Sequence, residues 1–258
     1  MKYIKTALLL AIVAAATASC NRKPALPEFG MLEIDTLVNG PENGSRIEYR
    51  FATIGNAAKS AALQAIEKAN IGYFFELEDF DGTAREAADS AIRQTAAELL
   101  PPEGISGTYE ISAEAAPGMT DSLLTYTISR WSFTGGAHGM YGTECHTYQL
   151  SDGQELFLAD LFTEAQLAGM EALLRKKLYE EYETDSDDGL TEQGFFPEYI
   201  ALTENFLIDS AGITFYYNPY DIGCYALGAV EVTFGNEELA ALKTAGDGTP
   251  SAAGTPKQ

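Results

Sequence analysis

A chain of 258 residues can build one large domain or two small ones that share a surface. Apolar residues make up 46% of it and aromatics 11%, which supplies a packed core and excludes a wholly disordered chain. With 38 acidic against 16 basic side chains and a formal charge of -22, it repels nucleic acid and anionic lipid and attracts cationic partners, although solubility alone is the simpler use of such a charge.

Residues 1–20 read MKYIKTALLLAIVAAATASC. Lys2 and Lys5 give a positive start, Thr6 to Ala16 an apolar run short for a membrane span, and Ala18 and Ser19 lead into Cys20. The pattern resembles a bacterial lipoprotein signal, cleaved before a cysteine that is then lipidated, with Thr17 where Leu is usual. An ordinary secretory signal with a chance cysteine is the alternative. On the lipoprotein reading, residues 1–19 are removed, Cys20 carries the lipid, and residues 20–30, with Pro24, Pro27 and Gly30, form a tether. The expected location is the periplasm, lipid-anchored to the cell-envelope membrane. In that oxidising compartment Cys145 and Cys224 either pair or stay buried thiols, and spacing leaves both open.

Strands are predicted over 31–38 and 46–54; in the second, Ile47, Tyr49 and Phe51 share one face. Asn39-Gly40 and Asn43-Gly44 punctuate the connection. Asn56 is the expected cap of a helix over 57–72, and a second helix runs from Thr83 to Leu100, stopped by Pro101-Pro102. The aromatic run Tyr73, Phe74, Phe75 and Phe80 between them reads as core. Strands follow at 105–114, 122–133, 142–150 and 155–158. Thr163 caps a helix to about Tyr182, and the acidic stretch 183–194 reads as a solvated loop. A short helix or strand at 197–202, strands at 205–209, 212–217 and 224–234, and a closing helical turn at 236–243 complete the chain before a disordered tail from Thr244. The fold class is therefore α+β: antiparallel sheets with packed helices, in two intimately associated modules.

Chemistry-bearing motifs are few. His138 and His146, with Glu144, Asp152 or Asp160, suggest a metal or acid–base site, so a hydrolase or metal-dependent site centred on His138 is the alternative function. The simpler reading has His138 hydrogen-bonded in a tight turn and His146 exposed on a strand. Gly135, Gly136, Gly139 and Gly142 lack the order of a phosphate loop, and neither a GxSxG elbow nor an HExxH frame is present. Cys145 and His146 are strand neighbours facing opposite sides. Asp185, Asp187 and Asp188 fail the calcium-loop frame, because Gly189 falls at position five. No catalytic residue, metal or cofactor is assigned.

The run FTGGAHGMYGTECHTYQLSDGQELFLADLF resembles the signature of a domain of bacterial envelope proteins, in which a GGAH turn joins two strands. The later run ITFYYNPYDIGCYALGAVEVTFGNEEL resembles that domain's ending, and Ile47 to Thr134 is similar to the companion module named for the deacetylase PdaC. The pair of modules resembles the extracellular part of the sigma-V anti-sigma factor, which binds lysozyme. The resemblance implies a PdaC-like module at 31–134, a GGAH-type domain at 135–243 and a tail at 244–258. It also implies a non-catalytic binding protein for a cationic envelope-active protein such as lysozyme, or for cell-wall peptidoglycan. The expected contact residues are Phe133, Gly135, Gly136, His138, Tyr141, Asn218, Pro219, Tyr220 and Tyr225.

Overall fold

The computed structural model describes residues 24–41, 44–99 and 108–246. The signal segment, Cys20, Asn43, the Pro101-Pro102 stop and the end of the expected tail lie outside those residues. Within them the chain is α+β, as patterning predicts, with one hydrophobic core for each of two sheets.

Strands β1 (Phe29–Val38), β2 (Ser45–Ile54), β3 (Tyr109–Met119), β4 (Leu123–Phe133) and β5 (Met140–Gln149) form the first sheet in sequence order. Helices α1 (Ala61–Phe75) and α2 (Ala84–Glu98) intervene between β2 and β3 and pack on one face. The alternation of β2 directs Ile47, Tyr49 and Phe51 into that core, against Phe74 and Phe75 of α1 and Ala87 and Ala88 of α2. The sheet is not wholly antiparallel as expected. β2 and β3 run parallel, because the two helices carry the chain back before it re-enters the sheet.

Helix α1 starts after Ser60, not at Asn56. The Asn56 side chain accepts from the Glu28 amide and donates to the Leu26 carbonyl, so it anchors the approach to β1 instead of a helix. Thr83 begins α2 with a reciprocal capping box to Glu86.

The second unit contains α3 (Leu158–Leu161), α4 (Glu164–Glu181), α5 (Asp187–Glu192), β6 (Phe206–Ile208), β7 (Gly212–Tyr217), β8 (Val230–Gly235) and α6 (Asn236–Gly246). Met170, Leu174 and Leu178 of α4 bury against Phe206, Phe215 and Phe234 of the antiparallel β6-β7-β8 sheet. Thr163 caps α4 as expected, again in a capping box, here with Gln166.

Four expectations are corrected. Segment 155–158 is no strand: Glu155 forms an isolated bridge with Tyr148, and α3 begins at Leu158. The acidic loop contains α5, because Ser186 accepts from the Gly189 amide and caps it. The last strand starts at Val230, after a 3-10 turn at Tyr225–Leu227. Helix α6 runs through Thr244 to Gly246.

Since β5 pairs with β4 along its length, the first sheet spans the 134/135 division, and the second core begins at Leu158. The outer edge of β5 meets the second unit through two asparagine side chains. Asn205 donates to the Thr143 carbonyl and accepts from the Cys145 amide, while Asn218 pairs with both backbone groups of Thr143. No described helix is long and apolar enough to cross a membrane.

Candidate functional site

The GGAH turn joins β4 to β5. Gly135 and Gly136 have φ of 87° and 99°, a region that glycine enters without steric cost. Gly139 is fixed by crowding: a Cβ there would lie 2.9 Å from Trp131 Nε1 and 2.9 Å from the Ser132 carbonyl. The turn is thus folded against the single tryptophan. His138 Nδ1 donates to the Gly139 carbonyl at 2.9 Å, and its ring stacks on Tyr225 at 3.9 Å. The Tyr225 hydroxyl donates to that same carbonyl at 2.7 Å, while its ring meets Tyr141 at 6.1 Å and Tyr220 at 5.7 Å.

The 218–225 loop is brought here by Asn218, whose side chain clasps Thr143 and whose amide donates to Asp221 at 2.7 Å. Trp131 and Tyr141 stand opposite each other on β4 and β5. They are 38% and 40% exposed, and Tyr220 is 52% exposed, so two segments distant in sequence form one aromatic patch.

Of the residues expected to make contacts, His138, Tyr141, Asn218, Tyr220 and Tyr225 come together. Gly135 and Gly136 lie exposed on the turn, Gly136 with open space around it. Phe133 is half-buried opposite Glu110. Pro219 is buried and cannot be a contact, because the turn that exposes Tyr220 folds it inward. Trp131 belongs to the patch and was missed; its cross-strand position beside Tyr141 follows from the hairpin register.

A cleft of about 490 Å³ opens beside the same hairpin, between Gln94, Thr95 and Glu98 of α2 and Arg130, Ser132, Gly142 and Glu144 of β4 and β5. A hollow of about 720 Å³ along α1 shares Glu76, Arg130 and Glu144 with it. Arg130 sits between the two. Its Nη1 and Nη2 donate to the Phe74 and Tyr73 carbonyls at 3.0 and 2.6 Å, and its Nε donates to Glu144 at 3.3 Å. It thereby adds a cationic donor to the last carbonyls of α1, of which Tyr73 also accepts from the Glu76 amide. Glu76, Glu78, Asp79, Glu98 and Glu144 line the two hollows against Lys68 and Arg130, so the balance is acidic.

His146 is not the exposed strand residue expected. Its side chain is 15% exposed, Nδ1 donates to Glu155 at 2.8 Å, and the Tyr73 ring stacks on it at 3.8 Å. The Tyr73 hydroxyl donates to the other oxygen of Glu155 at 2.8 Å. Nε2 is buried without a hydrogen-bond partner, 3.9 Å from Glu144. Burial opposes the His146 charge, but Glu144 and Glu155 outweigh it and raise the pKa. His146 and then Arg130 hold Glu144 below the usual carboxylate range, and burial with Glu155 pushes Tyr73 up to about 12.

Behind this cluster, fully buried Asn70 accepts from Tyr148 at 2.9 Å and keeps an unpartnered Nδ2. Cys145 faces away from His146, and burial pushes its thiol up to about 11. Cys145 and Cys224 are both free thiols. Among the described residues no three His, Cys, Asp or Glu side chains converge as a metal site.

This is an α+β protein with two cores joined along one sheet edge. Residues 159–236 match the model of DUF3298, a protein family of unknown function, and they correspond closely to the second core. The chain is similar to the crystal structure of a DUF3298 family member from Bacteroides fragilis, at 24% identity and a TM-score of 0.73, covering 85% of this chain and 94% of that one. It is also similar to a DUF3298 family protein from Pseudomonas aeruginosa, at 18% identity and a TM-score of 0.64, covering 85% and 95%. No curated protein matches the chain. The structural likenesses extend over both cores and establish a shared fold.

Proposed function

We propose that the protein is a lipid-anchored binding protein of the cell envelope that captures a cationic envelope-active protein such as lysozyme. One observation carries this reading: the GGAH turn and the 218–225 loop converge into an exposed aromatic patch beside two acidic hollows. Aromatic side chains that expose a ring and fix their polar ends are favoured anchors of protein interfaces. Acidic walls and a chain charge of -22 would steer a cationic partner toward them.

Resemblance of the same segments to the lysozyme-binding part of the sigma-V anti-sigma factor and to the PdaC-type module points the same way. Capture, not catalysis, also suits His138. Nδ1 is spent inside the turn and one ring face is covered by Tyr225, which leaves the exposed Nε2 edge as a contact surface. The lipid on Cys20 would hold the patch in the periplasm.

Calorimetric titration of the purified protein with a c-type lysozyme, at low and at physiological salt, tests the reading. A saturable complex of fixed stoichiometry that persists in salt supports it. Heat that vanishes with salt marks mere charge attraction and overturns it. Saturation by peptidoglycan fragments in place of lysozyme would assign the aromatic patch to sugar faces.

A further inference from the structure

The seam between α1 and β5 holds a titratable cluster that the aromatic patch does not use. Glu155 is a carboxylate already accepting from Tyr73, so it can only accept from His146 Nδ1. In the neutral ring that bond selects the Nδ1–H tautomer and leaves Nε2 bare. Nε2 is buried, without a partner, and looks at Glu144 Oε2 from 3.9 Å. In that neutral form two acceptors face each other with no proton between them.

The other groups around the ring are committed. Tyr73 from α1 stacks on it, and the hydroxyls of Tyr126 and Tyr148 donate to the Ala52 carbonyl and to Asn70. The charged neighbours are Glu144 on β5, Glu155 beyond it and, through Glu144, Arg130 on β4 with Glu76 at the end of α1.

We infer that His146 is a proton switch that sets the charge of the cleft wall through Glu144 and Arg130. A proton on Nε2 turns the facing acceptors into an N–H···O⁻ contact and draws the Glu144 carboxylate toward the imidazolium. Arg130 Nε holds that same carboxylate, and its other nitrogens hold the last carbonyls of α1 at the junction of the two hollows. Protonation therefore cancels negative charge on the wall and loosens Arg130 from it. Deprotonation restores an acidic wall. The consequence for a cationic partner rests on the binding reading above: its capture strengthens as pH rises through the His146 titration. The switch itself does not depend on that reading.

Nuclear magnetic resonance of the purified protein between about pH 8 and 5 tests the switch directly. The His146 ring is assigned with His138→Ala, and the Arg130 Nε–H signal is followed in the same samples. The expected result is one shared midpoint, with the Arg130 response abolished in His146→Gln. An Arg130 signal that stays flat while His146 titrates, or that moves equally in His146→Gln, overturns the switch. This measurement uses the wild-type protein, so it decides even if His146→Gln does not fold.

Lysozyme affinity is then compared at about pH 7.5 and 5.5, with a fall of about fivefold expected in the wild type and none in His146→Gln. PH-independent lysozyme affinity beside an intact Arg130 response would overturn the effect on the cleft. Absence of lysozyme binding at every pH would overturn the proposed function and leave the switch standing.

Discussion

Asn205 stands in for a neighbouring strand on Thr143: its Nδ2 donates to the Thr143 carbonyl at 2.7 Å along the outer edge of β5. The same side chain accepts from the Cys145 amide at 2.9 Å and donates to the Tyr216 carbonyl at 3.1 Å. One amide thus ties the first sheet to β7 and blunts an otherwise open edge. Asn205→Ala leaves the Cys145 amide unpaired and removes a donor from the Tyr216 carbonyl, while the Thr143 carbonyl keeps Asn218, which should cost about 2–3 kcal/mol in urea unfolding. Asn205→Asp keeps the acceptor but sets a carboxylate against two carbonyls, and should cost at least as much. A midpoint unchanged in both variants would show that water replaces the amide without loss.

Glu67 gives a stability effect of known sign. Burial raises its pKa to about 7, despite the Ile54 amide that donates to it at 2.8 Å. A folded-state pKa above the unfolded one contributes stability that is present at low pH and lost as pH rises through the folded value, here between about 4.5 and 7. Glu67→Gln keeps an acceptor for Ile54 and removes the charge. It should raise stability by about 1–2 kcal/mol at about pH 8, allowing for partial solvent screening, and by nothing at about pH 4. Thermal unfolding at both pH values checks this, and an equal change at both would point to packing instead of ionisation.

The same linkage argument applies to His146, whose pKa is raised by its two carboxylates against the opposing effect of burial. Its contribution is fully present below the ordinary histidine pKa, near 6.5, and is lost as pH rises through the folded value. His146→Gln should therefore lower stability most in acid and least above neutrality, whereas a simple cavity effect would not vary with pH. Urea midpoints across that range, for wild type and variant, measure the difference.

Gly139 should be intolerant of any side chain. An added Cβ meets the Trp131 ring nitrogen and the Ser132 carbonyl at 2.9 Å, and the carbonyl cannot yield without moving β4. Gly139→Ala should cost about 1–3 kcal/mol. It should also shift the emission of Trp131, the only tryptophan, as the turn lifts from it. Unchanged emission would mean that the turn does not rest on the indole.

Much of the scaffold was legible because its causes are local. The alternation of Ile47, Tyr49 and Phe51 is visible in β2, and Thr83 with Glu86 and Thr163 with Gln166 spell their capping boxes. Asn56 misled because its side chain is claimed by Leu26 and Glu28, about thirty residues back. The parallel pairing of β2 with β3 was equally hidden, since alternation says which side a residue faces and not which way its neighbour runs.

At the site, His138 and Tyr141 were visible on one hairpin, and Tyr225, 86 residues past Gly139, entered through resemblance alone. Pro219 shared that segment but not its exposure. The environment of His146 could not be read, because Glu155 reaches it round a turn and Tyr73 arrives from a helix of the first core.

The aromatic patch makes its own demand on a binding measurement. If Tyr141 and Tyr225 are anchors, truncating either should weaken lysozyme capture by about tenfold or more, since buried aromatic anchors carry most of an interface's energy. Leu37→Ala is the control: Leu37 is 45% exposed, but it lies on β1, at the opposite edge of the same sheet. Tyr225→Phe separates two roles, because it keeps the ring on His138 and removes only the hydroxyl that donates to Gly139. A loss in Tyr225→Ala with little change in Tyr225→Phe would place the energy in the ring face. Equal losses in both would place it in the geometry of the turn. Losses as large in Leu37→Ala would mean that the partner reads bulk surface and that the patch is not the site.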